Sequence, residues 1–110
     1  MDQKPNFIGL SDAGKFYRGK DDWMRDMLCS PNLSAAAKIV GCYLALHVNK
    51  NTGDTFKKQA TIAKDMGVSR HTVMRAITEL IEGGYLKKEK DYNKGLKRAR
   101  NRYSLIMPWE

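Results

Sequence analysis

The chain has 110 residues, 42% of them apolar, and a formal charge of +8. That length and composition fit one domain around one modest core. No apolar run approaches the ~20 residues that cross a bilayer and no signal segment opens the chain, so a soluble, cytoplasmic protein with no membrane partner is expected.

Cys29 and Cys42 form no CxxC pair and share no ligand spacing with His47 or His71. Two reduced thiols in or near a core are expected, with no disulfide, no zinc and no cofactor. The positive charge is uneven. Residues 1–56 hold seven Lys/Arg against six Asp/Glu, a balance of +1, and residues 57–110 hold thirteen against six, a balance of +7. A basic half attracts a polyanion, either nucleic acid or an anionic membrane surface, and basic residues on a predicted hairpin rather than an amphipathic helix disfavour the membrane.

Residues 1–20 show no sustained period and read as an N-terminal arm, with Phe7, Ile8 and Phe16 or Tyr17 tacked onto the body. Trp23, Met24, Met27 and Leu28 lie on one face of a short helix that follows Asp21 and Asp22. Pro31 and Asn32 end it. Ser34 is a good N-cap for the next helix. Its residues Ile39, Val40, Tyr43, Leu44, Leu46 and Val48 form a broad apolar surface, so it is expected to be the central buried helix. The turn formers of residues 49–53 follow. "DTF" then reads as a very short strand that puts Phe56 into the core.

"KKQATIAKDM" predicts a helix with Ile62, Ala63 and Met66 inside. Gly67 sits where a helix ends in the left-handed conformation, and Val68 is read as the apolar plug of the corner. Ser69 caps a helix over residues 69–83 whose inner face is Val73, Ala76, Ile77, Leu80 and Ile81. Met66 and Met74 read as packing residues, and Glu79 and Glu82 as solvated ones. Gly83 and Gly84 stop the helix. The period then changes from 3.6 to 2 in "YLKKEKDY" and "ARNRYSLIM", with "NKG" as the turn of a hairpin. In the second run Ala99, Asn101, Tyr103 and Leu105 alternate with Arg98, Arg100, Arg102 and Ser104.

The order helix, helix, corner, helix, hairpin matches a winged helix-turn-helix: mainly α with a small β-hairpin, spanning residues 21–110 behind the arm. "LSAAAKIVGCYLALHVN", "QATIAKDMGVSRHTVMRAITELIEGGYL" and the returning "NRYSL" strand resemble the winged helix-turn-helix family of plasmid and phage replication initiators and small transcriptional regulators. The likeness covers residues 33–105. It implies a bihelical DNA reader and a place in the bacterial cytoplasm or nucleoid. It implies neither the target sequence nor the outcome of binding.

The residues lead to the same partner independently. With its aliphatic stripe inward, the helix from Ser69 turns Arg70, His71, Thr72 and Arg75 outward, with Thr78 or Glu79 beside them. The major groove is about 12 Å wide and admits a helix. Arginine bonds a guanine edge bidentately, which is worth roughly 1–3 kcal/mol of discrimination. Ser69 and Thr72 hydroxyls and the free amides of the first turn suit a phosphate, although Ser69 is more simply a cap. Histidine changes charge near neutral pH, so a contact through His71 predicts mildly pH-dependent affinity. Lys57, Lys58, Gln59 and Thr61 surround the start of the preceding helix and are phosphate candidates without sequence information.

Between Lys87 and Arg102 eight basic residues face two acidic ones. That excess is more than edge protection requires. A wing over residues 85–107 is therefore expected to use Lys94, Lys97, Arg98, Arg100 and Arg102 on the backbone or in the minor groove. If about six such contacts form, affinity falls with salt along a log–log slope near −5.

The leading expectation is a sequence-specific double-stranded DNA-binding protein. The chain leaves no room for a second winged helix or a catalytic module after the wing, which favours a small regulator, most often a repressor, over the DNA-binding module of an initiator. A homodimer on an inverted repeat is expected, joined through the arm or the helix over residues 22–29, because apolar residues are in surplus there. From a different class, a winged helix that docks proteins through Trp23 and Trp109 is the alternative. No phosphate loop, nucleophile motif or catalytic carboxylate pair occurs, so no enzymatic activity is expected.

Overall fold

Phe16, Trp23 and Met27 recur at helical spacing, and all three are buried on α1 (Asp12–Leu28) in a computed structural model that describes residues 12–50, 52–92 and 99–107. The helix therefore starts at Asp12 rather than Asp22, and the second half of the expected arm is part of the folded body. Phe7, Ile8, Gly95, Pro108 and Trp109 lie outside the described residues. Trp23, offered by the sequence as a docking residue, is 2% exposed. Its indole N–H donates to the Tyr85 carbonyl at 2.8 Å, and its ring meets Tyr85 edge-on at 6.3 Å. A buried indole needs such an acceptor, and this one ties α1 to the start of the wing.

The central helix α2 (Ala35–His47) begins at Ser34, whose hydroxyl accepts the Ala37 N–H. Ala37, Val40, Gly41, Leu44 and Ala45 are its buried residues. Ile39 and Leu46 are not among them: at 58% and 72% exposure they face away from the core. The expected broad surface exceeds the single inward face of a helix packed on one side, and the small residues Ala37, Gly41 and Ala45 lie inside instead. Gly41 has a packing reason, because a Cβ there would overlap the Met27 thioether of α1. Cys42 is half-buried and Cys29 is exposed past the end of α1, so only one thiol lies near the core.

Asn49 folds the loop back. Its N–H donates to the Asp54 carbonyl at 2.8 Å and its carbonyl accepts from Gly53 at 2.7 Å. The chain then forms β1 (Asp54–Thr55), which pairs with the returning wing strand. Thr55 is buried and Phe56 only half-buried, the reverse of the expected inward Phe56. The face change follows from the two-residue alternation of a strand.

Helices α3 (Gln59–Met66) and α4 (Arg70–Glu82) meet at Gly67, whose φ of 68° is left-handed. Its N–H and that of Val68 donate to the Lys64 and Ala63 carbonyls, which ends α3 within one turn. Val68 itself is exposed at 38%, so the corner is closed by these backbone bonds and not by an apolar plug. Val73, Ala76, Ile77 and Leu80 are buried as their spacing predicts, and Ile81 packs half-buried on the same core. Burying each such large aliphatic side chain contributes about 1.5–3 kcal/mol.

After Gly83 and Gly84 come β2 (Leu86–Asp91) and β3 (Arg100–Leu105), antiparallel, with Leu86 opposite Leu105 and Asp91 opposite Arg100. The expected short strand at residues 54–55 joins the hairpin, so the sheet has three strands in the order β1-β3-β2. Leu86, Tyr103 and Leu105 close the core beneath α4. The whole is mainly helical with a small antiparallel sheet, consistent with a winged helix-turn-helix.

Candidate nucleic-acid interface

Ser69 holds the start of α4. Its hydroxyl accepts the Thr72 N–H at 3.1 Å and lies 2.9 Å from the Thr72 hydroxyl. Arg70, His71, Met74, Arg75, Thr78 and Glu82 are exposed, and with the inner stripe buried they make one solvent face along the helix. Arg70, His71 and Arg75 thus stand where the rotation argument puts them. Thr72 is half-buried and its hydroxyl is engaged with Ser69, so it acts first in the cap.

Two residues of α4 depart from expectation. Glu79 does not solvate the outer face: it accepts from the Ser34 hydroxyl at 2.7 Å and from the Ser34 N–H at 3.0 Å. The Ser34 side-chain and backbone bonds hold its carboxyl below the ordinary carboxylate range, with the Arg75 charge adding to them. Met74 is 45% exposed and is not among the side chains packed against the core.

On α3, Lys58 is exposed at the N-cap, while Lys57 and Thr61 are half-buried. The Gln59 amide donates to the Tyr103 hydroxyl at 3.0 Å, which commits it to joining α3 to β3. A second amide, from Asn101, reaches the same hydroxyl at 3.3 Å.

The wing divides into two faces. Lys87, Glu89, Asp91, Arg100 and Arg102 share one face by register. There Arg102 Nη2 lies 2.7 Å from Glu89, Arg100 Nε lies 3.2 Å from Asp91, and Lys87 lies 3.6 Å from Glu89. Asp54 of β1 adds a second carboxylate 3.9 Å from Arg102 Nε, and the Arg100 guanidinium stacks 3.7 Å from the Phe56 ring centre. The Arg102 bond pulls the Glu89 carboxyl down, and the same contact pushes the Arg102 guanidinium up. Arg100 and Arg102 are therefore charge-paired within the sheet. Lys88 and Lys90 pair in register with Tyr103 and Asn101, on the side that carries Leu86 inward. Both are exposed and have no ion-pair partner among the described residues. Lys88 and Lys90 count among the eight basic wing residues but not among the expected contacts, and their alternation with Leu86 is the signal that marks the helix-side face. Lys94, Lys97 and Arg98 lie outside the described residues.

A capped helix with an outward basic face, set behind a Gly67 corner and beside a lysine-bearing strand, defines the helix-turn-helix class. Residues 32–86, half of the chain, match the family described as a helix-turn-helix domain, and the chain belongs to that family. No curated protein and no solved structure matches it. The domain suggests DNA as the partner. Among the described residues no helix is long and apolar enough to cross a membrane.

Proposed function

We propose that the protein binds double-stranded DNA sequence-specifically, with α4 in the major groove and the helix-side face of the wing on the backbone, and acts as a small transcriptional repressor by occlusion. One observation carries the reading: Arg70, His71 and Arg75 lie together on the exposed face of a helix whose opposite face is buried. Arg70 and Arg75 read base edges, and the free N–H groups of the α4 first turn donate to a phosphate. Lys58 from α3, with Lys88 and Lys90 from the wing, positions the duplex without reading it. Arg100 and Arg102, already paired, contribute less than a count of basic residues implies. The reading involves no catalysis.

The resemblance of residues 33–105 to replication initiators supports a second output from the same contact, binding at a replication origin. Selection of duplexes from a random library tests both. An enriched consensus that the protein shifts well ahead of random DNA is the expected result, and a palindrome with half-sites about one turn apart indicates two copies. Retention of random and selected duplexes alike overturns the reading. Phe16, Trp23 and Met27 fill this chain's own core, so they are not available to a homodimer contact through α1.

A further inference from the structure

Met74 stands in the middle of the outward face of α4, one turn beyond Arg70 and His71 and one turn before Thr78. It is 45% exposed, whereas Met24, Met27 and Met66 all pack in or against the core. The exposed residues around it, Arg70, His71, Arg75, Thr78 and Glu82, are polar. Thr78 has turned its hydroxyl back onto the helix, donating to the Met74 carbonyl at 3.0 Å. The centre of the face therefore offers an apolar, donor-poor surface flanked by arginines. At 45% exposure and outside the core packing, Met74 is not placed on this face by the core.

The floor of the major groove has one apolar feature, the C5-methyl group of a pyrimidine. Thymine carries it in ordinary DNA, and 5-methylcytosine presents it at the same place. A flexible, polarisable thioether adapts well to a single methyl. We infer that Met74 is a specificity-determining residue that packs on the C5-methyl of a thymine in the target. This rests on the major-groove reading above and names what the centre of that face recognises. Arg70 and Arg75 on either side bond base edges, so the site alternates hydrogen-bond and methyl recognition along the groove.

The test uses the full chain and the duplex enriched from a random library. Each thymine is replaced in turn by uracil, which pairs identically but lacks the methyl. Wild-type protein is expected to lose about three- to fivefold in affinity at one thymine, the factor a single buried methyl gives. Met74→Ala is expected to bind the parent duplex weaker by a similar factor and to be indifferent to uracil at that position, while Met74→Leu keeps the dependence. Replacing the same T·A pair by C·G with and without the 5-methyl separates the sources. Tighter binding of the methylated cytosine identifies the methyl as the group read. Equal binding of thymine and uracil at every position, or an unchanged uracil penalty in Met74→Ala, overturns the inference while target discrimination persists. Loss of discrimination between selected and random duplexes removes the functional reading, and this inference with it. Because Met74 is exposed, circular dichroism of the variants is expected to match wild type.

Discussion

The Glu79 carboxylate of α4 accepts both the N–H and the hydroxyl of Ser34, 45 positions away, at 3.0 and 2.7 Å. A Ser-capped helix often places its own Glu or Gln three residues on to bond the cap's N–H. That position in α2 is Ala37, and Glu79 fills the role from another helix. The contact ties the start of α2 to α4, beside the buried stripe that sets the rotation of that helix.

Ser34→Ala is expected to destabilise the fold by about 1 kcal/mol, the usual cost of an N-cap, read as a lower denaturant midpoint with an unchanged slope. The acid limb follows from Glu79. Its folded-state carboxyl lies below its ordinary value of 4.5, so its stabilisation is complete above that pH and is lost as pH falls through the depressed folded value. Glu79→Gln is expected to lower stability at pH 7 and to flatten the loss below pH 4.5. An identical acid limb in wild type and variant would assign that loss to other carboxylates.

The paired and unpaired faces of the wing predict opposite signs. Lys88→Ala and Lys90→Ala should each weaken binding to any duplex and reduce the log–log salt slope by about 1. Glu89→Gln releases Arg102 from its 2.7 Å partner and should steepen the slope. Arg75→Ala, by contrast, should lose discrimination between selected and random duplexes by about 1–3 kcal/mol with little change in slope. Salt titrations of the four variants on one selected and one random duplex measure all of this. A flatter slope in Glu89→Gln would mean that the acidic residues do not restrain the wing's charge.

Gly41→Ala places a methyl where the Met27 thioether sits, and should cost about 1–3 kcal/mol as overpacking. In a Met27→Ala background the same change should cost much less, because the cavity accepts the methyl. A double-mutant cycle with no coupling would show that α1 and α2 do not meet there.

Tyr43 on α2 donates to Asp65 of α3 at 2.5 Å. Burial, then the Asp65 bond and its charge, push the phenol up to about 12. Because the folded state holds this proton longer than the unfolded chain, the stabilisation is complete below pH 10 and is lost as pH rises to about 12. An ultraviolet titration should show one tyrosine ionising near pH 12 in wild type and absent in Tyr43→Phe.

Helix-turn-helix topology was legible because its signals are local. Gly67 supplies the left-handed corner, Ser69 caps α4, and the Val73–Ala76–Ile77–Leu80 stripe sets which side of the helix faces out. Those three features place Arg70, His71 and Arg75 without any knowledge of neighbours. The helical character of residues 12–20 was hidden because Phe16 has its apolar partner a full seven residues on, at Trp23, with charged residues between. The burial of Trp23 depends on the Tyr85 carbonyl, which no local pattern connects to it.

Local order along the chain thus determined α2 to α4, the wing strands, the serine caps and the outward face of α4, since each follows from backbone preference and a repeat of 3.6 or 2 residues. Only the tertiary structure decided which charges remain available. Whether Arg102 meets a phosphate or Glu89, and whether Glu79 meets water or Ser34, turns on distances between segments brought together by folding. Met74 was equally ambiguous in one dimension: a methionine beside an apolar stripe belongs to the core or to the exposed face according to some tens of degrees of helix rotation, and that rotation is set by packing.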